Sequence, residues 1–447
     1  MIVLKFGGTS VGKPERMKKI GDLVLSTPGQ KIVVLSALSG TTNSLVSIGD
    51  YLLAGNLEGA ENEISTLEKH YQGFIAELYS SESFHAIGQE IVSRFFIFMR
   101  LLAAGHPDSY RGDVRSYREL LAQGELISTE LFYQHLQERK INSRLLPALH
   151  FMSIDENEEP ELEKIAQRLN PLLSSLKSVD IIITQGYICR NHRNEIDNLK
   201  RGGSDYTASL IGSAIRAEEI QIWTDIDGMH NNDPRIVKKT FPISELTFDE
   251  ASELAYFGAK ILHPSTIVPA QKYNVPVRLK NTMDEKAPGT IISDKGKDGG
   301  FKAVAAKDGI TAIKIKSSRM LMAYGFLRKV FEVFEQYKTP IDMISTSEVA
   351  VSLTIDNNTH LDTIFNELAA FGTVEVDTNQ TIICIVGHNI GKHEGVLNKV
   401  FLSLEAIPVR MVSVGGSSNN ISVLVDSKFK NQALIALNKG LFGLAND

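Results

Sequence analysis

Near its start the chain reads Lys5-Phe6-Gly7-Gly8-Thr9-Ser10, directly behind the apolar run Ile2-Val3-Leu4. A cation and two adjacent glycines at a strand end suit the holding of a polyphosphate. Glycine lets backbone N–H groups come close to oxygen atoms, and lysine adds a compact positive charge. A plain glycine turn is the alternative. Gly7, Gly12 and Lys13 come close to the G-x-x-x-x-G-K-[ST] phosphate loop, but Pro14 stands where the magnesium-binding hydroxyl belongs, which argues against that loop.

Three further segments carry similar chemistry. Arg201-Gly202-Gly203-Ser204-Asp205 precedes a helical pattern from Tyr206 to Ile215. A helix start offers N–H groups and a favourable dipole to an anion. Arg201 either clamps a carboxylate through its fork or is a surface arginine; Asp205 is either functional or a helix cap. Trp223-Thr224-Asp225-Ile226-Asp227-Gly228, leading to Asp233-Pro234-Arg235, reads as a strand end entering a loop, and both D-G and D-P also form ordinary turns. Gly258-Ala259-Lys260, followed by Leu262-His263-Pro264, sets another lysine beside a glycine turn, with an exposed lysine as the alternative. His263 lacks a nearby ligand partner for a metal. As a set, two lysines beside glycine turns, an arginine and several carboxylates fit phosphoryl transfer, where positioning and charge neutralisation do most of the catalysis.

The elements that must position these residues read as an alternating α/β chain. Ile2–Phe6, Lys31–Ser36, Asp180–Thr184, Gln221–Thr224 and Val275–Lys280 are strand-like, several of them apolar almost throughout, as expected of strands buried on both faces. Glu15–Leu25 and Asp249–Tyr256 are helical, and residues 50–138 read as a helical excursion over one face. The alternation predicts a mainly parallel sheet, with ligands at its strand ends. A stretch rich in Asp, Lys, Gly and Pro, Asp284 to Gly300, predicts a boundary between a domain over 1–297 and a region over 301–447.

That last region repeats itself. Gly325, Leu327, Lys329, Val330 and Phe331 recur 70 residues on as Gly395, Leu397, Lys399, Val400 and Phe401. Thr311, Ile313 and Ile315 recur at the same offset of 70 as Thr381, Ile383 and Ile385, as do Ser352 and Asp356 as Ser422 and Asp426. Pro340, Met343 and Ser345 recur at 68 as Pro408, Met411 and Ser413. Each copy reads strand, glycine-led helix, strand, turn, strand: a small α+β module. Asp342 in the first copy stands at the position equivalent to Arg410 in the second, so an amine would be welcome beside one and repelled by the other. The alternative for Asp342 is a turn residue.

Composition excludes several classes. At 447 residues, 43% hydrophobic and 22% charged, the chain has an ordinary globular composition and room for about three domains. A net charge of −6 gives no basic footprint for nucleic acid. Cys189 and Cys384 are the only two cysteines; they form no disulfide framework or zinc spacing and fit a reducing compartment. The start leaves no room for a signal peptide, and Phe95 to Ala104 is short and contains Arg100, so a cytoplasmic protein with no membrane partner is expected.

In combination K-F-G-G-T-S, R-G-G-S-D-Y-T-A, W-T-D-x-D-G…D-P-R and G-A-K-x-L-H-P resemble the aspartokinases over essentially the whole chain. The paired modules resemble the two ACT domains of that family, here over about 310–377 and 378–447, with interleaving left open. No homoserine dehydrogenase domain follows, so the resemblance is to the monofunctional form. It implies an amino-acid kinase α/β/α sandwich followed by two ferredoxin-like ACT domains. It also implies phosphorylation of the β-carboxylate of L-aspartate by MgATP, the magnesium being carried by the nucleotide, as the first step towards lysine, threonine and methionine. By the same resemblance Lys5, Asp205 and Lys260 are catalytic. Ser36, Thr42, Glu125 and Arg201 bind aspartate, while Gly7, Gly8, Thr224, Asp225, His230, Arg235 and Lys260 bind nucleotide. Met320, Gly325, Phe326, Leu327, Asp342, Thr346, Ser347 and Glu348 form an effector site for lysine or threonine, with lysine favoured by the I-S-T-S-E-V stretch. A homodimer or dimer of dimers through the ACT domains is implied as well. The rival readings are a related amino-acid kinase with another substrate and a catalytically silent amino-acid sensor.

Overall fold

The computed structural model describes residues 1–104, 114–200, 202–258, 262–296, 300–317 and 324–445. Arg201, Lys260 and Met320 lie outside the described residues. The chain forms two compact units, one made of Met1–Met229 with Leu262–Asp294, the other of His230–Ile261 with Lys295–Asp447.

In the first unit the sheet runs Ser143–Leu145, Ile181–Gln185, Lys31–Leu35, Ile2–Phe6, Ile220–Thr224, Val277–Asn281, Thr290–Ser293. All neighbours are parallel except the last pair. The apolar run of Ile2–Phe6 sits in the middle, with Lys5 in register with Val34 on one side and Ile222 on the other. Lys31–Leu35 and Ile181–Gln185 are buried at every residue, which explains why they do not alternate. The helical excursion is real: Leu57–Leu78, Glu82–Ala104 and Val114–Glu138 pack through Tyr71, Phe74, Phe96 and Phe132 into the core beneath the sheet.

The second unit holds a sheet in the order Ile344–Thr346, Ala350–Ile355, Ala303–Lys316, Thr373–Val386, Asn420–Asp426, Met411–Val414. The two central strands are each 14 residues long. Residues 303–307 pair with 382–386, and residues 312–316 with 373–377, with a register break between. Each long strand therefore serves both repeats. Ile313, Ile315, Val330, Leu353, Ile364 and Leu368 form one core; Val304, Ile383, Ile385, Val400, Val423 and Leu434 form another. Gly325 (φ 82°) and Gly395 (φ 73°) both lead a helix from the left-handed region, where a side chain would be strained. Among the described residues no helix is long and apolar enough to cross a membrane.

Candidate active site

Parallel strands end together, and the candidate residues follow from that. Lys5 is the penultimate residue of the first strand; Gly7 and Gly8 lie just past it, Ser36 just past Leu35, and Asp225 just past Thr224. Lys5 is 8% exposed, and its Nζ lies 2.6 Å from Asp205 Oδ1. A carboxylate at that distance gives the buried side chain a hydrogen-bond partner and a fixed direction. Asp205 sits in the first turn of the helix Gly203–Ala214, which starts from Gly202 at φ 72°. A Cβ at Gly202 would also lie 2.9 Å from Thr266 Oγ1.

The glycine pair turns the chain from strand into the short helix Gly8–Val11. The Gly7 N–H is spent on the Trp223 carbonyl (3.4 Å), and its own carbonyl accepts from Ser10 and Val11. Donors for an anion are therefore the first-turn N–H groups of Gly8 and Thr9. A Cβ on Gly8 would stand 3.2 Å from the Ala37 carbonyl and one on Gly12 2.6 Å from Ser39 Cβ, so this loop and the loop after the second strand touch through their glycines.

Glu125 comes up from the helix Val114–Glu138. It is 4% exposed and accepts from the Ala37 N–H at 3.2 Å, while its Oε2 has no protein partner. Burial pushes its carboxyl up to about 8, against the opposing pull of the Ala37 N–H and the Lys5 charge. The preceding Gly124 has no room for a side chain, because a Cβ would lie 2.8 Å from Ala37 Cβ. Thr42 is exposed in the first turn of Thr41–Leu53, and its neighbour Thr41 is fixed by Tyr71 OH at 3.0 Å. Thr224 Oγ1 donates to Asp225 Oδ1 at 3.2 Å.

Several supporting contacts were missed by the sequence reading. Ser10 and Thr282 share a buried hydrogen bond of 2.8 Å, and the Thr282 N–H donates to the Thr224 carbonyl at 2.7 Å, which ties the glycine loop to the strand end bearing Asp225. Arg118, two turns before Glu125 on the same helix, pairs with Asp197 and with Glu158 (3.0 Å), and Glu158 pairs in turn with Lys200. The clustering of acids and bases around residues 115–119 and 195–200 was the only sequence signal for it.

The remaining nucleotide candidates belong to the second unit. His230 Nδ1 is hydrogen-bonded to Thr240 Oγ1 at 2.8 Å, and Arg235, 80% exposed, forks onto Asp233. The effector candidates lie at the first repeat. Gly325, Phe326 and Leu327 start a helix, Thr346 ends an exposed edge strand, and Ser347 and Glu348 form its turn. Asp342 is no exposed turn residue: its side chain is 1% exposed, and Oδ1 takes Lys307 Nζ at 2.8 Å and Tyr256 OH at 2.9 Å. Lys307 also meets Asp356 at 2.8 Å and stands 4.3 Å above the Tyr256 ring. Burial raises the proton affinity of Asp342, and Lys307 opposes it. Arg410, its counterpart in the second repeat, pairs with Asp377.

Residues 1–281 match the amino acid kinase family, and residues 383–441 match the ACT domain. Fold and site thus define an amino-acid kinase with an ACT-type C-terminal region. Lysine-sensitive aspartokinase 3 of Escherichia coli (strain K12) is 33% identical over 460 residues, 99% of this chain and 99% of that protein. The crystal structure of E. coli aspartokinase III in complex with aspartate and ADP (R-state) matches with a TM-score of 0.85 at 32% identity, covering 99% of this chain and 100% of that one. The same enzyme in complex with lysine and aspartate (T-state) matches with a TM-score of 0.81 at 33% identity, over 99% of each chain. This chain belongs to the aspartokinases.

Proposed function

We propose that the protein transfers the γ-phosphoryl group of ATP to the β-carboxylate of L-aspartate, forming 4-phospho-L-aspartate, and that an end-product amino acid inhibits it. The observation that carries the reading is the buried Lys5–Asp205 pair at the end of the central strand, beside the glycine turn and the buried Glu125. A β-carboxylate is ionised at neutral pH, its ordinary pKa being about 3.9, so the reaction needs no general base. The obstacle is repulsion between nucleophile and phosphate, about 4 kcal/mol for two unit charges at ~4 Å and an effective dielectric of ~20. Lys5 and Lys260 offset it, and Asp205 keeps Lys5 aimed.

Glu125 takes the ammonium of aspartate and Arg201 its α-carboxylate, with Ser36 and Thr42 lining the pocket. Thr224, Asp225, His230 and Arg235 hold the nucleotide. Magnesium is bound in such sites through one or two carboxylates plus substrate phosphates. Asp225, just past a strand end, and Asp205, in the first turn of the helix Gly203–Ala214, fit that donor set, and among the described residues no three acidic, His or Cys side chains gather into a protein cage. When bound, the ion neutralises the phosphate oxygens. The reading includes a cytoplasmic setting, a dimer through the repeats and lysine as effector.

The test is a coupled assay of ADP release with aspartate against glutamate. Turnover with aspartate is expected, together with loss of at least about 10²-fold in Lys5→Ala at unchanged circular dichroism. Equal turnover of both amino acids, or an active Lys5→Ala, would sink the reading.

A further inference from the structure

The last helix of the second repeat, Lys430–Phe442, carries an amide in its core. Asn438 is 0% exposed, one turn beyond Leu434 and next to Leu437. The offset of 70 that aligns Ser352 with Ser422 also sets Ile364 opposite Leu434 and Leu368 opposite Asn438. Leu368 is likewise 0% exposed and lies in the first repeat's apolar core. The module therefore folds around a leucine here. An amide in its place is costly unless its polar atoms find partners.

The partners identify what the amide is for. Asn438 Oδ1 accepts from Asn231 Nδ2 at 3.0 Å, and its Nδ2 donates to the Lys239 carbonyl at 3.1 Å and the Leu444 carbonyl at 3.2 Å. Two of these bonds hold the segment 231–239, which follows His230 and contains Arg235. The same segment is gripped at three more points. Asn232 Nδ2 donates to the Leu434 carbonyl at 3.0 Å, the Asn231 carbonyl accepts from the Val304 N–H at 2.8 Å, and Val237, 0% exposed, sits inside the second repeat's core.

We propose that Asn438 is a positioning residue for ATP: the last helix of the second repeat clamps the loop that presents His230 and Arg235 to the nucleotide. This rests on the nucleotide role given to that loop above and goes beyond it. The two repeats divide their work, the first carrying the acidic Asp342 and the second holding the ATP loop.

The repeat itself supplies the variant, Asn438→Leu, which restores the first copy's residue and keeps the helix core apolar. Asn232→Ala breaks the clamp from the loop side. Leu437→Ala damages the same core without touching a loop bond. In the full chain, the first two are expected to raise the KM for ATP about tenfold or more, because small displacements of binding groups are expensive. They should leave the KM for aspartate within about twofold. Leu437→Ala should lower the melting temperature and leave the KM for ATP in place. Unchanged ATP KM in Asn438→Leu and Asn232→Ala, or an equal rise in Leu437→Ala, overturns the proposal. ATP affinity is also measured by calorimetry without aspartate. A wild type that binds ATP but phosphorylates no aspartate refutes the functional reading, while the clamp is still decided by the variants' ATP affinity.

Discussion

Glu125 carries the most chemistry for its size. Burial holds its carboxyl at about 8, well above the ordinary value near 4.3, so at neutral pH it is mostly protonated until an ammonium arrives. An arriving ammonium favours the anion and lowers the pKa, so below pH ~8 aspartate binding must expel a proton. Aspartate affinity should therefore fall as pH falls, by up to about tenfold per unit, until the pH reaches the lowered pKa of the complex. Measured from pH 6 to 8.5, the KM for aspartate should drop as pH rises, and Glu125→Gln should be weak and nearly flat. A flat wild-type profile counts against the ammonium role. The sequence pointed to Glu125 only through the resemblance to the family. Its raised proton affinity comes from burial beneath the packed helical excursion, against the pull of the Ala37 N–H, and no local pattern encodes that burial. Lys5 was legible because a strand, a lysine and a glycine pair are contiguous; its partner Asp205 lies on another element, and only the fold pairs them.

At the scale of elements, the legible parts are those with a local cause. Near-continuous apolar runs became the buried parallel strands, and the repeated glycines became two left-handed helix starts. Strand sharing was not legible. The residues of Ala303–Lys316 alternate in the same way whether the strand serves one module or two, and only the register reveals that its first part pairs with 382–386 and its second with 373–377. A physical consequence follows. A chain ending at residue 377 would strip residues 303–307 of their ladder and open the Val304 core, leaving backbone groups and apolar side chains without partners. Such a truncation is expected to aggregate, or to be cut by protease within 303–377, although the first repeat's own residues are all present. A soluble fragment resisting protease over that stretch would show that the repeats fold independently.

At the scale of the whole molecule, the proposed effector site at the first repeat gives a physical reason for its ligand to be an amine. In the absence of effector, Asp342 is neutralised by the chain's own ammonium, Lys307, which also serves Asp356 and lies over Tyr256. A carboxylate that accepts one alkylammonium side chain in a buried setting is chemically suited to another, which favours lysine over threonine. Binding then has to displace Lys307, so the apparent affinity is the intrinsic one reduced by the fraction of molecules in which Asp342 is open. Lysine should inhibit the wild type at lower concentration than threonine, and Asp342→Ala should abolish the effect with aspartate turnover retained. Lys307→Met, with the internal competitor gone, should shift half-inhibition by lysine to lower concentration. Inhibition curves for the three proteins decide the matter. Unchanged inhibition in Asp342→Ala removes the carboxylate from the effector site, and a Lys307→Met protein that needs more lysine rather than less means that Lys307 supports the ligand instead of competing with it.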